Sequence, residues 1–244
     1  MSVNSLNYSV NRHTISPLAV SPKDVDTVVG KMMGEDIPKD VLVRSEATLV
    51  SDKRELVTDL MVDSIKQRCH GKKATYVSTP ITGGDRLFQF LEKHGVKSKK
   101  ELDPATKADY AKEVIQANCE HAAGVNKEHR AAGETCLEVS SIAMPEWNQI
   151  NYNEHWTEVV RDAPLEKVLV CDGWQLSYGC LLEVRNALDK GIPVTDEDGK
   201  IYDKNAAIQF VSDSKRSLES KGFQLGLLTQ ALTEPLSSLP MELH

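Results

Sequence analysis

The chain has 244 residues, enough for one large domain or two small ones with a full hydrophobic core. Its 40% apolar and 27% charged residues are those of a globular chain, and a net charge of −7 argues against binding a nucleic-acid polymer, which needs a basic face. Five cysteines without a CxxC pair fit a reducing compartment and carry no zinc signature, so neither disulfides nor a metal is expected. No apolar run approaches the roughly 20 residues that cross a bilayer. The first twenty residues lack the continuous apolar stretch of a signal peptide, so a cytoplasmic location and no membrane partner are expected.

Residues 1–22 are rich in Ser and Asn and read as an arm. A short helix is expected over 23–34, interrupted near Pro38. Asp52 to Glu55 has the spacing of a capping box, followed by a helical stripe of Leu56, Val57, Leu60, Met61 and Ile65 that ends near Gly71. Ala74–Ser78 reads as a strand, Thr82-Gly-Gly-Asp85 as a turn, and the residues after it as a helix. Residues 97–132 read as helical, with Asp103-Pro104 as a start and Gly133 as a stop. Thr135–Val139 is a second strand, Trp147–Tyr152 a loop, 153–162 a helix and Lys167–Cys171 a buried strand. Ser177–Lys190 is the clearest helix. A short strand follows at Val194, then a turn at Asp196–Gly199 and a helical stretch over about 204–233. Strands alternating with helices predict an α/β fold, a flavodoxin/Rossmann-like, mostly parallel sheet flanked by helices, with ligands at the carboxyl ends of the strands. The chain divides into an N-terminal arm and helices (1–70), an α/β core (71–200) and a C-terminal helical extension (201–244), together one compact domain.

Two segments carry chemistry. In Tyr76-Val-Ser-Thr79-Pro-Ile81-Thr82-Gly83-Gly84-Asp85-Arg86, two glycines after a strand allow close backbone approach, and the next helix offers free N–H groups to an anion. As a bare signal this is weak, since glycine-rich turns are common connectors. In Cys171-Asp-Gly173-Trp174-Gln-Leu-Ser177-Tyr-Gly179-Cys180-Leu-Leu-Glu183, Ser177 is a natural helix N-cap, and Gly179 lies one turn before Glu183 on the same face. That leaves open space above the carboxylate. The plainer alternatives are a solvated Glu183 and a packing role for Trp174. His155 and Trp156 read as structural. Asp196-Glu-Asp198 lacks calcium-loop spacing, and Cys180 has no histidine partner in view.

With both segments in place, the chain resembles the nucleoside 2-deoxyribosyltransferase-like superfamily. The residues that carry the resemblance are Thr79-Pro-Ile-Thr-Gly83, Ile81-Thr-Gly-Gly84, Gly173-Trp174, Ser177-x-Gly179-x-x-x-Glu183, Ala187 and Gly191-Ile-Pro-Val194. It covers residues 73–195. Thr82 stands where the nucleoside 5′-monophosphate N-glycosidases of this superfamily carry a basic residue, with Arg86 nearby. The resemblance implies cleavage or base transfer at an N-glycosidic bond, without a cofactor. In that scheme Glu183 is the nucleophile, Asp162 the group that protonates the base, and Tyr76 orients Glu183. Thr79, Ile81, Thr82, Gly83, Gly84, Asp85, Gly173, Trp174, Ser177 and Gly179 would line the substrate. Free-nucleoside enzymes of the superfamily often carry a carboxylate at the position of Ser177. A hydroxyl there favours a 5′-phosphorylated small molecule as substrate. The resemblance also implies a homo-oligomer; residues 1–50, outside the matched region and with too few apolar residues for a core of their own, are expected to pack across its interface. The alternatives are a nucleotide-sensing module without turnover on the same fold, and an NAD-cleaving enzyme. The latter ranks lower because Trp174 is far from Glu183 in the sequence.

Overall fold

The computed structural model describes residues 20–225 and 228–234. Most of the arm expected over 1–22, and the last ten residues of the C-terminal extension, lie outside that range. Helix α1 (Pro22–Met32) starts where Ser21 accepts from the Asp24 amide and Pro22 presets the first turn. Helices α2 (Lys39–Glu46) and α3 (Arg54–Cys69) follow. The capping box expected at Asp52–Glu55 does not form. A 3-10 turn over Ser51–Lys53 delays the helix, so Lys53 takes the N-cap position with no side-chain bond and Asp52 falls outside it. The α3 C-terminus turns out through His70 and Gly71, both with positive φ.

The sheet comprises β1 (Ala74–Ser78), β2 (Cys136–Glu138), β3 (Leu165–Val170), β4 (Val194–Asp196) and β5 (Ile201–Tyr202), in the spatial order β2-β1-β3-β4-β5. All pairings are parallel except β4–β5, a hairpin at the edge. This is the α/β class expected from the sequence. All five residues of β1 are buried, as a strand covered on both faces requires.

Between β1 and β2 run α4 (Gly84–Lys93), α5 (Pro104–Tyr110) and α6 (Ala117–Ala131). A π-helical segment, Ala111–Gln116, joins α5 to α6, and Asp103 caps the run through the Thr106 amide at 2.8 Å. Helix α7 (Gln149–Asp162) enters β3, and α8 (Tyr178–Asp189) links β3 to β4. The loop expected over Trp147–Tyr152 is shorter than that, because Asn148 and Asn151 form a reciprocal capping box that starts α7 at Gln149. The C-terminal helical stretch is two helices, α9 (Lys204–Ser220) and α10 (Leu228–Thr233), broken after Lys221 at Gly222, whose φ is +85°.

Because side chains alternate along a strand, the sheet has two distinct faces. On one, Tyr76, Val168 and Val170 join α8, α7 and α3 in a hydrophobic cluster that runs from Val25 to Leu232. On the other, Val77, Leu169 and Cys171 pack with Ala122 and Val125 of α6. Val25, Val28, Val29, Met32, Leu42 and Leu49 are buried in the large cluster. Residues 20–50 therefore contribute side chains to the core. The boundary expected at residue 200 also cuts through the β4–β5 hairpin, so the C-terminal part is not an appendage. Among the described residues, no helix is long and apolar enough to cross a membrane.

Candidate functional site

The strand order reverses direction between β1 and β3: the chain leaves β1 toward β2 on one side and β3 toward β4 on the other. Ligands of open α/β sheets bind outside the carboxyl ends of the strands at such a point. Both sequence segments lie there. The first follows β1 and the second follows β3, and they touch. A Cβ on Gly83 would lie 3.5 Å from the Leu176 carbonyl and 3.7 Å from Ser177 Cα. Gln175 Nε2 donates to Asp85 Oδ2 at 3.2 Å.

Glu183 is the centre of this region. One turn into α8, its carboxylate reaches back to β1, where Tyr76 donates its hydroxyl to Oε1 at 3.0 Å and Ser78 donates to Oε2 at 2.5 Å. Tyr76 and Ser78 are two apart on one strand, so both face α8. Glu183 is only 7% exposed. Burial pushes its carboxyl up to about 7, against the opposing pull of the Ser78 and Tyr76 hydrogen bonds, which favour the ionised form. Burial and the adjacent Glu183 charge push the Tyr76 phenol well above its ordinary value, so it remains a donor. A carboxyl raised by burial in this way has both protonation states within reach near neutral pH, the property that acid–base and nucleophilic chemistry need.

Ser177 holds the N-cap position of α8 with φ −118° and ψ 117°, and its side chain makes no capping bond. Its hydroxyl is hydrogen-bonded with the buried Cys180 thiol, which also contacts Ser78. Burial drives that thiol up beyond any reactive range, so Cys180 acts as a small filler between the two serines.

The glycines have a different use from the one expected. A Cβ on Gly84 would lie 2.9 Å from the Pro80 ring and 3.2 Å from the Gly173 carbonyl, and one on Gly173 would lie 2.7 Å from the Asp85 amide. Both have positive φ, +74° and +81°. They let the two turns approach each other closely. Gly179 does not open space above Glu183 either, since a Cβ there would lie 3.3 Å from Asn153 Oδ1 on α7. Trp174 is a packing residue, edge-on to Tyr202 at 5.2 Å and tilted against Phe210 at 5.9 Å. The Thr79 hydroxyl points away from Glu183 and donates to Cys171 Sγ at 3.2 Å.

Asp162 is not in the site. It ends α7 just before β3, at the amino end of the strand, whereas Glu183 meets the carboxyl end of β1. It is exposed, and a hydrogen bond from Arg161 holds its carboxyl below the usual range. Asp85 is a carboxyl that does stand at the carboxyl end, in the first turn of α4 after β1. It is half-buried beside Gln175, and burial pushes it up.

Ile81 is half-buried and Thr82 exposed in the first turn. Their turn is pinned by Asn118, which the sequence did not single out. Asn118 is 1% exposed, and its Nδ2 lies 2.5, 3.1 and 3.3 Å from the carbonyls of Pro80, Ile81 and Gly83. Arg86 donates to Asn118 Oδ1 at 2.8 Å, so its guanidinium braces the turn. The Tyr110 hydroxyl donates to the Thr82 carbonyl at 2.7 Å. Ser78 was also missed, although its spacing from Tyr76 places it on the same strand face.

Two surface depressions lie away from Glu183. One, of about 330 Å³, is lined by Glu35, Arg68, His70 and Glu134 among others, and the second, of about 290 Å³, by Arg86, Gln89, Phe90, Lys93 and Glu113. Compared with protein-family models, curated proteins and solved structures, the chain matches none of them.

Proposed function

We propose that this protein cleaves, or transfers a base at, the N-glycosidic bond of a 5′-phosphorylated nucleotide, with Glu183 as the nucleophile. One observation carries the reading. A buried carboxyl, pushed up to about 7 by burial, is held by the Tyr76 and Ser78 hydroxyls where the strand order of a doubly wound sheet reverses. A carboxylate under C1′ stabilises the positive charge that builds there and then bonds to it. As the O–C1′ bond to Glu183 forms, the C1′–N bond breaks. The base departs with the electron pair and takes a proton. Water, giving up its proton to the group that protonated the base, or a second base then attacks C1′ and releases Glu183 as a carboxylate. Asp85 replaces Asp162 as the proton donor in this scheme, because it stands at the correct end of the sheet and burial favours its protonated form. Ser177 and the first amides of α8 receive the phosphate.

A second reading is a module that binds a nucleotide without turning it over. It is favoured by the position of Asp162, the expected acid, at the opposite end of the sheet. Incubating the protein with a panel of nucleoside monophosphates and nucleosides, and following free base by chromatography, separates the two. The enzymatic reading requires base release from nucleotides in preference to nucleosides, lost in Glu183→Gln. Tight binding with no base released supports the module.

A further inference from the structure

Across the sheet from Glu183, a second cluster of chemistry-bearing side chains gathers at the same carboxyl edge. His121 comes from α6, Cys171 is the first residue past β3, and Glu197 sits in the β4–β5 hairpin. One ligand atom from each lies within 4.8 Å of the others. His121 Nε2 is 2.8 Å from Glu197 Oε1. The same Glu197 oxygen accepts the Asp172 amide at 2.7 Å, which orients the carboxylate. Cys171 Sγ accepts the Thr79 hydroxyl at 3.2 Å, which orients the sulfur. Glu197 and Cys171 thus each have a second group fixing them, as metal ligands usually do.

We propose that His121, Cys171 and Glu197 form a binding site for a divalent transition metal of the zinc class. The donor set of imidazole, thiolate and carboxylate oxygen is one that zinc takes, at bond lengths of about 2.0–2.3 Å. Tetrahedral bonds of that length put ligand atoms about 3.4–3.7 Å apart, so the His121–Glu197 pair, now 2.8 Å apart, must spread, and the sulfur must approach by up to about 1 Å from a cluster whose atoms lie within 4.8 Å of one another. The side chains of His121 and Glu197 are 31% and 28% exposed, which leaves them room for that adjustment and leaves a fourth position facing water. Cys171 is fully buried and supplies the sulfur from below. On binding, the Cys171 S–H bond breaks, its proton passes to solvent and the sulfur's electron pair bonds to the metal. A neutral imidazole, a thiolate and a carboxylate together cancel the dipositive charge. The alternative is a plain His121–Glu197 hydrogen bond tying α6 to the hairpin, with Cys171 as a buried filler.

Cobalt(II) titrated into the 244-residue chain, freed of metal by chelation, distinguishes the two. The expected result is one equivalent bound, with a thiolate-to-cobalt charge-transfer band in the near ultraviolet and tetrahedral visible bands, both displaced by zinc. Cys171→Ser abolishes the charge-transfer band, and His121→Ala and Glu197→Ala each weaken binding at least tenfold. Cys119→Ser leaves the spectrum unchanged. His121 and Glu197 are partly exposed, so their variants decide the matter even where Cys171→Ser fails to fold. Absence of the charge-transfer band in the parent protein, or its survival at full strength in Cys171→Ser, overturns the proposal. So does unchanged affinity in both His121→Ala and Glu197→Ala. None of these readouts depends on Glu183.

Discussion

Glu183 commits each carboxyl oxygen to a hydroxyl from one strand while sitting almost entirely out of water. Its folded pKa of about 7 lies above the ordinary 4.5, so the folded state favours the protonated form. The stabilisation this gives is fully present below pH 4.5 and is lost as pH rises through about 7, a change of roughly 3 kcal/mol. Glu183→Gln cannot ionise and escapes that loss. Urea unfolding of parent and variant should therefore show the variant gaining relative stability between pH 4.5 and 8, with a parallel pH dependence in the two proteins as the contrary outcome. The same variant should lose several orders of magnitude in base release. Ser78→Ala removes a hydrogen bond that favours the carboxylate, so the rising limb of the kcat/KM–pH profile should move to higher pH; an unmoved limb would separate Ser78 from the reacting group. Asp85→Asn should cost about 10²–10⁴-fold in rate, less for bases that leave easily. Tyr76 and Glu183 were legible because motif and strand end coincide. Asp162 misled because its nearness to β3 in sequence was weighed without its order along the chain. A residue that precedes a parallel strand stands at its amino end, away from the site.

At the scale of elements, the two turns are halves of one joint. Gly173 and Gly84 exist for the contact between them, so Gly173→Ala and Gly84→Ala should each lower stability by about 1 kcal/mol from positive φ alone, and by more from the collisions at 2.7 and 2.9 Å. Gly83 differs. Its φ is −136° and its surroundings begin at 3.5 Å, so thermal melts of Gly83→Ala should match the parent, and a large drop would contradict the packing described. Trp174 clamps the second turn onto β5 and α9 through Tyr202 and Phe210. Trp174→Ala should cost about 3–5 kcal/mol. The turns were legible as glycine-bearing punctuation after strands. Their mutual contact was not, because it depends on the spatial neighbourhood of β1 and β3, which a local pattern does not contain.

At the scale of the molecule, the class of fold was legible from the alternation of strands and helices, and strand order came only with the structure. The incorporation of residues 20–50 was not legible, because Val25, Val28, Val29 and Met32 gain their meaning from α3 and β2, well away in sequence. The trio proposed as a metal site escaped for a similar reason, since positions 121, 171 and 197 show no regular spacing. Two buried titratable groups also oppose each other across the core. Burial, aided by the Arg54 charge, holds His155 down at about 3, so acidification below its ordinary 6.5 costs stability while the same change favours protonated Glu183. Their slopes offset each other between pH 4.5 and 6.5, and Glu183→Gln should expose the acid loss belonging to His155. The resemblance carried by the two segments implies an assembled site, so sedimentation at micromolar concentration should give at least a dimer. The most direct test of the central claim is to trap the reaction with a 2-deoxy-2-fluoro nucleoside monophosphate, whose fluorine slows release of the sugar. Mass spectrometry of the digested protein should find the sugar phosphate esterified to Glu183, with free base released in equal amount. Base release with no adduct at Glu183, or an adduct at another residue, would contradict the account.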